Sequence, residues 1–150
     1  FRWVTCASPD YLRKFGVPET PEALSQHRAI HYFSGSGRRT SELRFTRGTE
    51  AFSVPVEGDA AVNETGLYIR LCIEGFGLAQ LAENVISENL QQGKLIEVLA
   101  DWQPPSVPVT ILYPHQRFLS PAVRAFADWI SGLFNEGAGE KGLSGKRRLR

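Results

Sequence analysis

The run from Asn63 to Leu81, NETGLYIRLCIEGFGLAQL, constrains the fold more than any other part of the chain. Asn63 is a good helix N-cap, because its side-chain oxygen can take one of the amides that the first turn leaves unpaired. Leu67, Leu71 and Cys72 then recur at helical spacing and are expected to face a core. Gly75 falls where a left-handed C-cap belongs. Gly77 to Leu81 follows as a short apolar strand. The order is therefore helix, glycines, strand. A dinucleotide fingerprint needs the reverse order and a third glycine, where this chain has Gln80. The GK[ST] ending of a phosphate loop is absent as well. The two glycines read as punctuation.

The same grammar organises the rest. Phe1 to Ala7 is an apolar run suited to a strand. Ser8-Pro9 pairs an N-cap with a proline at the first helical position, and Gly16 closes the helix that carries Tyr11, Leu12 and Phe15. Thr20-Pro21 repeats the device before a short turn ending near Ser25. Ala29 to Phe33 reads as a strand and Ser34 to Ser41 as a loop. Leu43 to Thr46 and Ala51 to Val56 form two strands about an Arg47-Gly48-Thr49 turn. Glu83 to Gln91 is a helix closed by Gly93, Leu95 to Leu99 a strand, and Asp101 to Pro108 a proline-rich linker. Val107 to Tyr113 returns to a strand. Ser120-Pro121 caps a last helix, striped by Val123, Phe126, Ala127, Ile130, Leu133 and Phe134. Strands alternating with helices argue for an α/β fold with crossover connections. Leu67, Leu71, Leu78, Leu95, Val98, Phe126 and Ile130 are the expected core.

Charge and chemistry narrow the function by exclusion. The net charge is +1, but five basic residues against two acidic ones lie between Glu136 and Arg150, so the body is slightly acidic. The body thus offers no broad basic field for nucleic acid. Residues 135–150 are rich in glycine and charge and read as a disordered basic tail. Cys6 and Cys72 sit among apolar neighbours, as buried free thiols do in a reducing compartment. No CxxC spacing occurs, and His27 and His31, although four positions apart, flank an expected strand rather than share a helical face, so no metal is implied. No run approaches the about 18 apolar residues of a membrane helix. His27, His31 and His115 are scattered, no GxSxG occurs, and Glu64 and Glu74 lie at opposite ends of one helix, so no catalytic set forms. An enzyme is not expected, and no cofactor or metal is implied.

Three segments carry a resemblance: ASPDYLRKFGVPETPEALSQHRAI (Ala7–Ile30), VNETGLYIRLCIEGFGLAQL (Val62–Leu81) and GKLIEVLADWQPPSVPVTILYPHQRFLSPAVRAFADWI (Gly93–Ile130). In this order and at this spacing they resemble the effector-binding domain of LysR-type transcriptional regulators, over about Val4 to Leu133. The resemblance implies a two-lobed α/β architecture of the periplasmic-binding-protein type 2, Rossmann-like, with one lobe complete and the other partial. Residues 1–7 would lead out of the first lobe, 8–99 would form the second, 100–106 a hinge, and 107–134 the return segment. The family's winged helix-turn-helix is not in this sequence, so the chain reads as a truncated piece.

Function follows from the resemblance. A small metabolite, an organic, amino or aromatic acid, would bind between the lobes and control transcription in the cytoplasm. DNA would be reached only through the absent domain, the full-length protein would form a homo-oligomer, and no membrane would be involved. A solute-binding component of an importer shares the architecture and is the alternative. The expected effector surface comprises Phe33, Ser34, Gly35 and Ser36, the helix start at Asn63, Glu64 and Thr65, and the Gly77-Leu78 step. Helix N-termini and glycine-rich turns expose backbone N–H groups suited to a carboxylate. Arg38 or Arg39 could add a charge-assisted contact, a solvated loop arginine being the plainer reading of each.

Overall fold

The computed structural model describes residues 2–33, 42–106 and 120–136. The chain divides into two compact units, residues 1–107 and 108–150, which are taken separately.

Within the first unit, β1 (Trp3–Ala7) is the middle strand of a three-stranded sheet, between β6 (Ala79–Ala82) and β7 (Ile96–Val98), antiparallel to both. Val4 to Ala7 are all buried, as a strand covered on both faces requires. Farther along, β2 (His31–Tyr32) and β5 (Ala61–Val62) run parallel, with His31 opposite Ala61 and Tyr32 opposite Val62. A parallel bridge between Ala29 and Leu78 joins β2 to the start of β6. It is held by the Leu78 amide on the Arg28 carbonyl at 2.8 Å and the Ile30 amide on the Leu78 carbonyl at 2.9 Å. The helix α2 (Thr65–Ile73) links β5 to β6 as a crossover, so the expected α/β wiring is present here.

Side-chain alternation sorts the core onto two faces. Val4, Cys6, Ala79 and Leu81 meet Tyr68 and Cys72 of α2 and Ile86 of α3 (Glu83–Gln91). Ala7, Leu78 and Val98 instead meet Tyr11 and Leu12 of α1 (Pro9–Phe15) and Leu24 of the 3-10 helix Pro21–Gln26. That second face is completed by the hairpin of β3 (Glu42–Arg47) and β4 (Glu50–Pro55), whose Phe45 is fully buried. Gln80 fastens the hairpin to the sheet. Its side chain accepts from the Arg44 amide at 3.1 Å and donates to the Arg44 carbonyl at 2.8 Å and to the Thr5 hydroxyl at 3.2 Å.

Most of the local grammar holds. The Ser8 hydroxyl accepts from the Tyr11 amide at 3.3 Å, and Gly16, Gly75 and Gly93 all take positive φ at helix ends. The hairpin turns at Gly48-Thr49, with Gly48 at φ 62°. Thr20 precedes its helix but makes no side-chain capping bond.

The phase of α2 differs from expectation. Its N-cap is Glu64, not Asn63, and its buried positions are Cys72, as expected, and Tyr68 in place of the leucines. Leu67 is 48% exposed and Leu71 only half-buried. The inward face is thus turned by about one residue, some 100° of rotation. Tyr68 outcompetes Leu67 for the interior because its larger ring buries more surface and its hydroxyl finds a partner, accepting from the Gln80 amide at 3.1 Å.

In the second unit the described element is α4 (Pro121–Glu136), where the Ser120 hydroxyl caps the Val123 amide at 3.3 Å. Phe126, expected in the core, is 56% exposed, Trp129 and Val123 are exposed too, and Ile130 is half-buried. The apolar stripe marks the helix correctly, but periodicity alone does not say that a stripe is covered. The expected strand Val107 to Tyr113 and the tail after Glu136 lie outside the described residues.

Candidate functional site

In open sheets with parallel strands, ligands bind beyond the carboxyl ends of those strands. Here the pair β2 and β5 defines that end. The Phe33 amide donates to the Val62 carbonyl at 2.7 Å, so the chain leaves β2 directly beside the exit of β5. Asn63, Glu64 and Thr65 follow, all exposed, and start α2; Phe33 is half-buried next to them. The Tyr32 hydroxyl ties the two exits together. It donates to the Asn63 carbonyl at 3.2 Å and lies 3.5 Å from the Thr65 hydroxyl. The Tyr32 ring packs on Tyr68 with 5.4 Å between centroids, which anchors this edge in the α2 face of the core. Burial raises the Tyr68 phenol well above its ordinary value, so it stays protonated and acts as a fixed hydrogen-bonding group.

Glu64 changes the character of this end. Its two carboxylate oxygens accept from the Gly66 and Leu67 amides, each at 2.6 Å. The bonds from Gly66 and then Leu67 pull its pKa below the usual carboxylate range. The first free amides of α2, the natural seat for an anion, are therefore filled by the chain's own carboxylate.

Four of the expected effector residues, Phe33, Asn63, Glu64 and Thr65, thus come together. Ser34, Gly35, Ser36, Arg38 and Arg39 lie outside the described residues. Gly77 and Leu78 do not join the group, because Leu78 pairs with Ala29, at the other end of β2. Leu78 is fully buried, and its amide and carbonyl are spent on Arg28 and Ile30. The Gly75 and Phe76 amides are spent as well, on the Cys72 and Leu71 carbonyls at 3.1 Å each. This step has no array of amides left for a phosphate. Gly77 serves closeness, since a Cβ there would lie 2.7 Å from the Arg28 carbonyl oxygen, while Gly75 ends α2 with φ 80°.

Sequence reasoning missed a feature at that same far end. Ser25, Arg28, His31, Pro55, Val56, Glu57, Gly58 and Asp59 line an open cavity of about 640 Å³. Arg28 spans it, 3.3 Å from Glu57 and 3.5 Å from Asp59. No local motif announces this, since Arg28 meets the two acids only through strand pairing. The Tyr11 hydroxyl braces the segment. It accepts from the Arg28 amide at 2.8 Å, lies 3.2 Å from the Arg28 carbonyl oxygen and 3.2 Å from His27 Nδ1.

Cys6 and Cys72 are free and fully buried, as expected. The Cys72 thiol lies 3.6 Å from both the Cys6 and Gly77 carbonyl oxygens. Its hydrogen bond with Cys6, then burial, hold it well above the ordinary thiol value. Among the described residues no three His, Cys, Asp or Glu side chains gather to hold a metal, and no helix is long and apolar enough to cross a membrane.

Comparison with known proteins places this arrangement. The sequence profile of the LysR substrate binding domain matches residues 1–134. An HTH-type transcriptional repressor of Pseudomonas aeruginosa is 35% identical over 87% of this chain. The HTH-type transcriptional regulator PgrR of Escherichia coli is 31% identical over 81% of it. The chain spans 41% and 40% of the lengths of these two relatives. Among solved structures, the full-length virulence activator AphB of Vibrio cholerae superposes with a TM-score of 0.68 at 24% identity, over 88% of this chain and 44% of that one. The AphB regulatory domain of Vibrio vulnificus gives 0.63 at 22%, over 88% and 64%. These last two likenesses speak for the fold, a periplasmic-binding-like type 2 architecture. With the profile running from the first strand into α4, the chain belongs to the LysR substrate-binding-domain family.

Proposed function

We propose that this chain is the effector-sensing part of a cytoplasmic, oligomeric transcriptional regulator. A small molecule binds at the carboxyl ends of β2 and β5, against Phe33, Asn63, Glu64 and Thr65, and DNA is contacted by a helix-turn-helix elsewhere in the full-length protein. The role is binding without catalysis. The observation that carries the reading is the convergence of both strand exits on the start of α2, in a chain of the LysR substrate-binding family. The ligand controls transcription only through its differential affinity for two arrangements of the regulator.

Glu64 sharpens the choice of ligand. An effector carboxylate reaches the α2 amides only by displacing the Glu64 carboxylate from Gly66 and Leu67. A ligand that leaves Glu64 in place meets, among the described residues, the Glu64 carboxylate, the Thr65 hydroxyl and the half-buried edge of Tyr32 and Phe33. Organic, amino and aromatic acids remain the class to test, with the neutral amides of the same acids beside them.

Titration of these compounds into the isotope-labelled chain, read by backbone amide shifts, tests the site. Saturable shifts at Phe33, Thr65, Gly66 and Leu67 are expected, weakened by Tyr32→Phe. Saturable shifts confined to the Arg28 cavity would move the site to the other end of β2 and overturn the reading.

A further inference from the structure

We draw no further inference here: the strongest candidate, the open cavity at the start of β2 where Arg28 lies between Glu57 and Asp59, carries nothing, since the arginine is already shared by two solvent-exposed carboxylates and no second feature of the structure points to a ligand for it.

Discussion

Replacing Gly77 by alanine tests the account of the two glycines most directly. A Cβ at Gly77 would sit 2.7 Å from the Arg28 carbonyl oxygen and 3.2 Å from the Ala29 carbonyl carbon. Both are backbone atoms of the neighbouring strand, so neither can swing away as a side chain would. The strands must part, which weakens the Leu78-to-Arg28 and Ile30-to-Leu78 hydrogen bonds at 2.8 and 2.9 Å. Each is worth about 1 kcal/mol net, and overpacking of this kind costs about 1–3 kcal/mol. With partial relaxation the expected loss is about 2–4 kcal/mol. Gly75→Ala is the control two residues away. There the nearest atom to the new Cβ is the Ser8 Oγ at 3.4 Å, an ordinary contact. Its cost is conformational, since φ is 80°, and amounts to about 1–2 kcal/mol. Urea unfolding followed by far-ultraviolet circular dichroism reads both. At a slope of about 2 kcal/mol per molar urea, the middle of the usual range, Gly77→Ala shifts the midpoint by about 1–2 M and Gly75→Ala by less. Equal midpoints for the two variants would refute the claim that close approach, rather than helix termination, is what demands glycine at 77.

Three further outcomes follow from the same structure. Ile86→Ala, at a fully buried position, is expected to cost about 2–5 kcal/mol, while Leu67→Ala, half-exposed on α2, costs about 1 kcal/mol; the reverse ranking in urea unfolding would restore the leucine-inward phase of α2. Glu64 has a folded-state pKa below its unfolded value, so its capping contribution is present above the ordinary carboxylate pKa of about 4.3 and fades as pH falls through the lower one. Amide exchange at Gly66 and Leu67 should therefore rise on acidification in the parent and change less in Glu64→Gln, after correction for intrinsic rates. Cys6 and Cys72 should resist iodoacetamide in the folded chain and react once it is unfolded in urea; labelling at comparable rates in both states would contradict their burial.

What was legible in the sequence is what short-range rules decide. The Ser8 cap, the glycines at helix ends and the span Glu83–Gln91 each depend on a few adjacent residues, and each stands. The face of α2 was not legible in that way. Leucine at 67 and 71 and the pair Tyr68 and Cys72 both fit a helical stripe, and hydropathy favours the leucines. Only the positions of Gln80, which gives Tyr68 a partner, and of Cys6, beneath Cys72, settle which stripe turns inward. Those residues are remote in sequence or across a turn, so the decision belongs to tertiary packing. Asn63 and Glu64 pose the same problem on a smaller scale. Asparagine is the better cap by preference, but the cap goes to the residue whose backbone lies one step outside the helix. Here that residue is Glu64, with φ −127° and ψ 130°.

The site divides along the same line. Phe33 and Asn63 are thirty positions apart, yet a glycine-rich loop after one apolar strand and a polar helix start after the other mark both as places where backbone amides gather. Gly77 and Leu78 looked equivalent because a Gly-rich step also exposes amides in isolation. In the folded chain those amides have partners, and the register of Ala29 with Leu78 carries the step to the opposite end of β2. A glycine pair is therefore a two-way signal: it can free amides for a ligand or bring two strands close enough to consume them. The 2.7 Å between a would-be Cβ at 77 and the Arg28 carbonyl selects the second meaning. The anion seat is then left to the start of α2, and there the chain has supplied the anion itself, in Glu64. On the proposed reading, whether that carboxylate stays in place decides which ligands can reach the α2 amides.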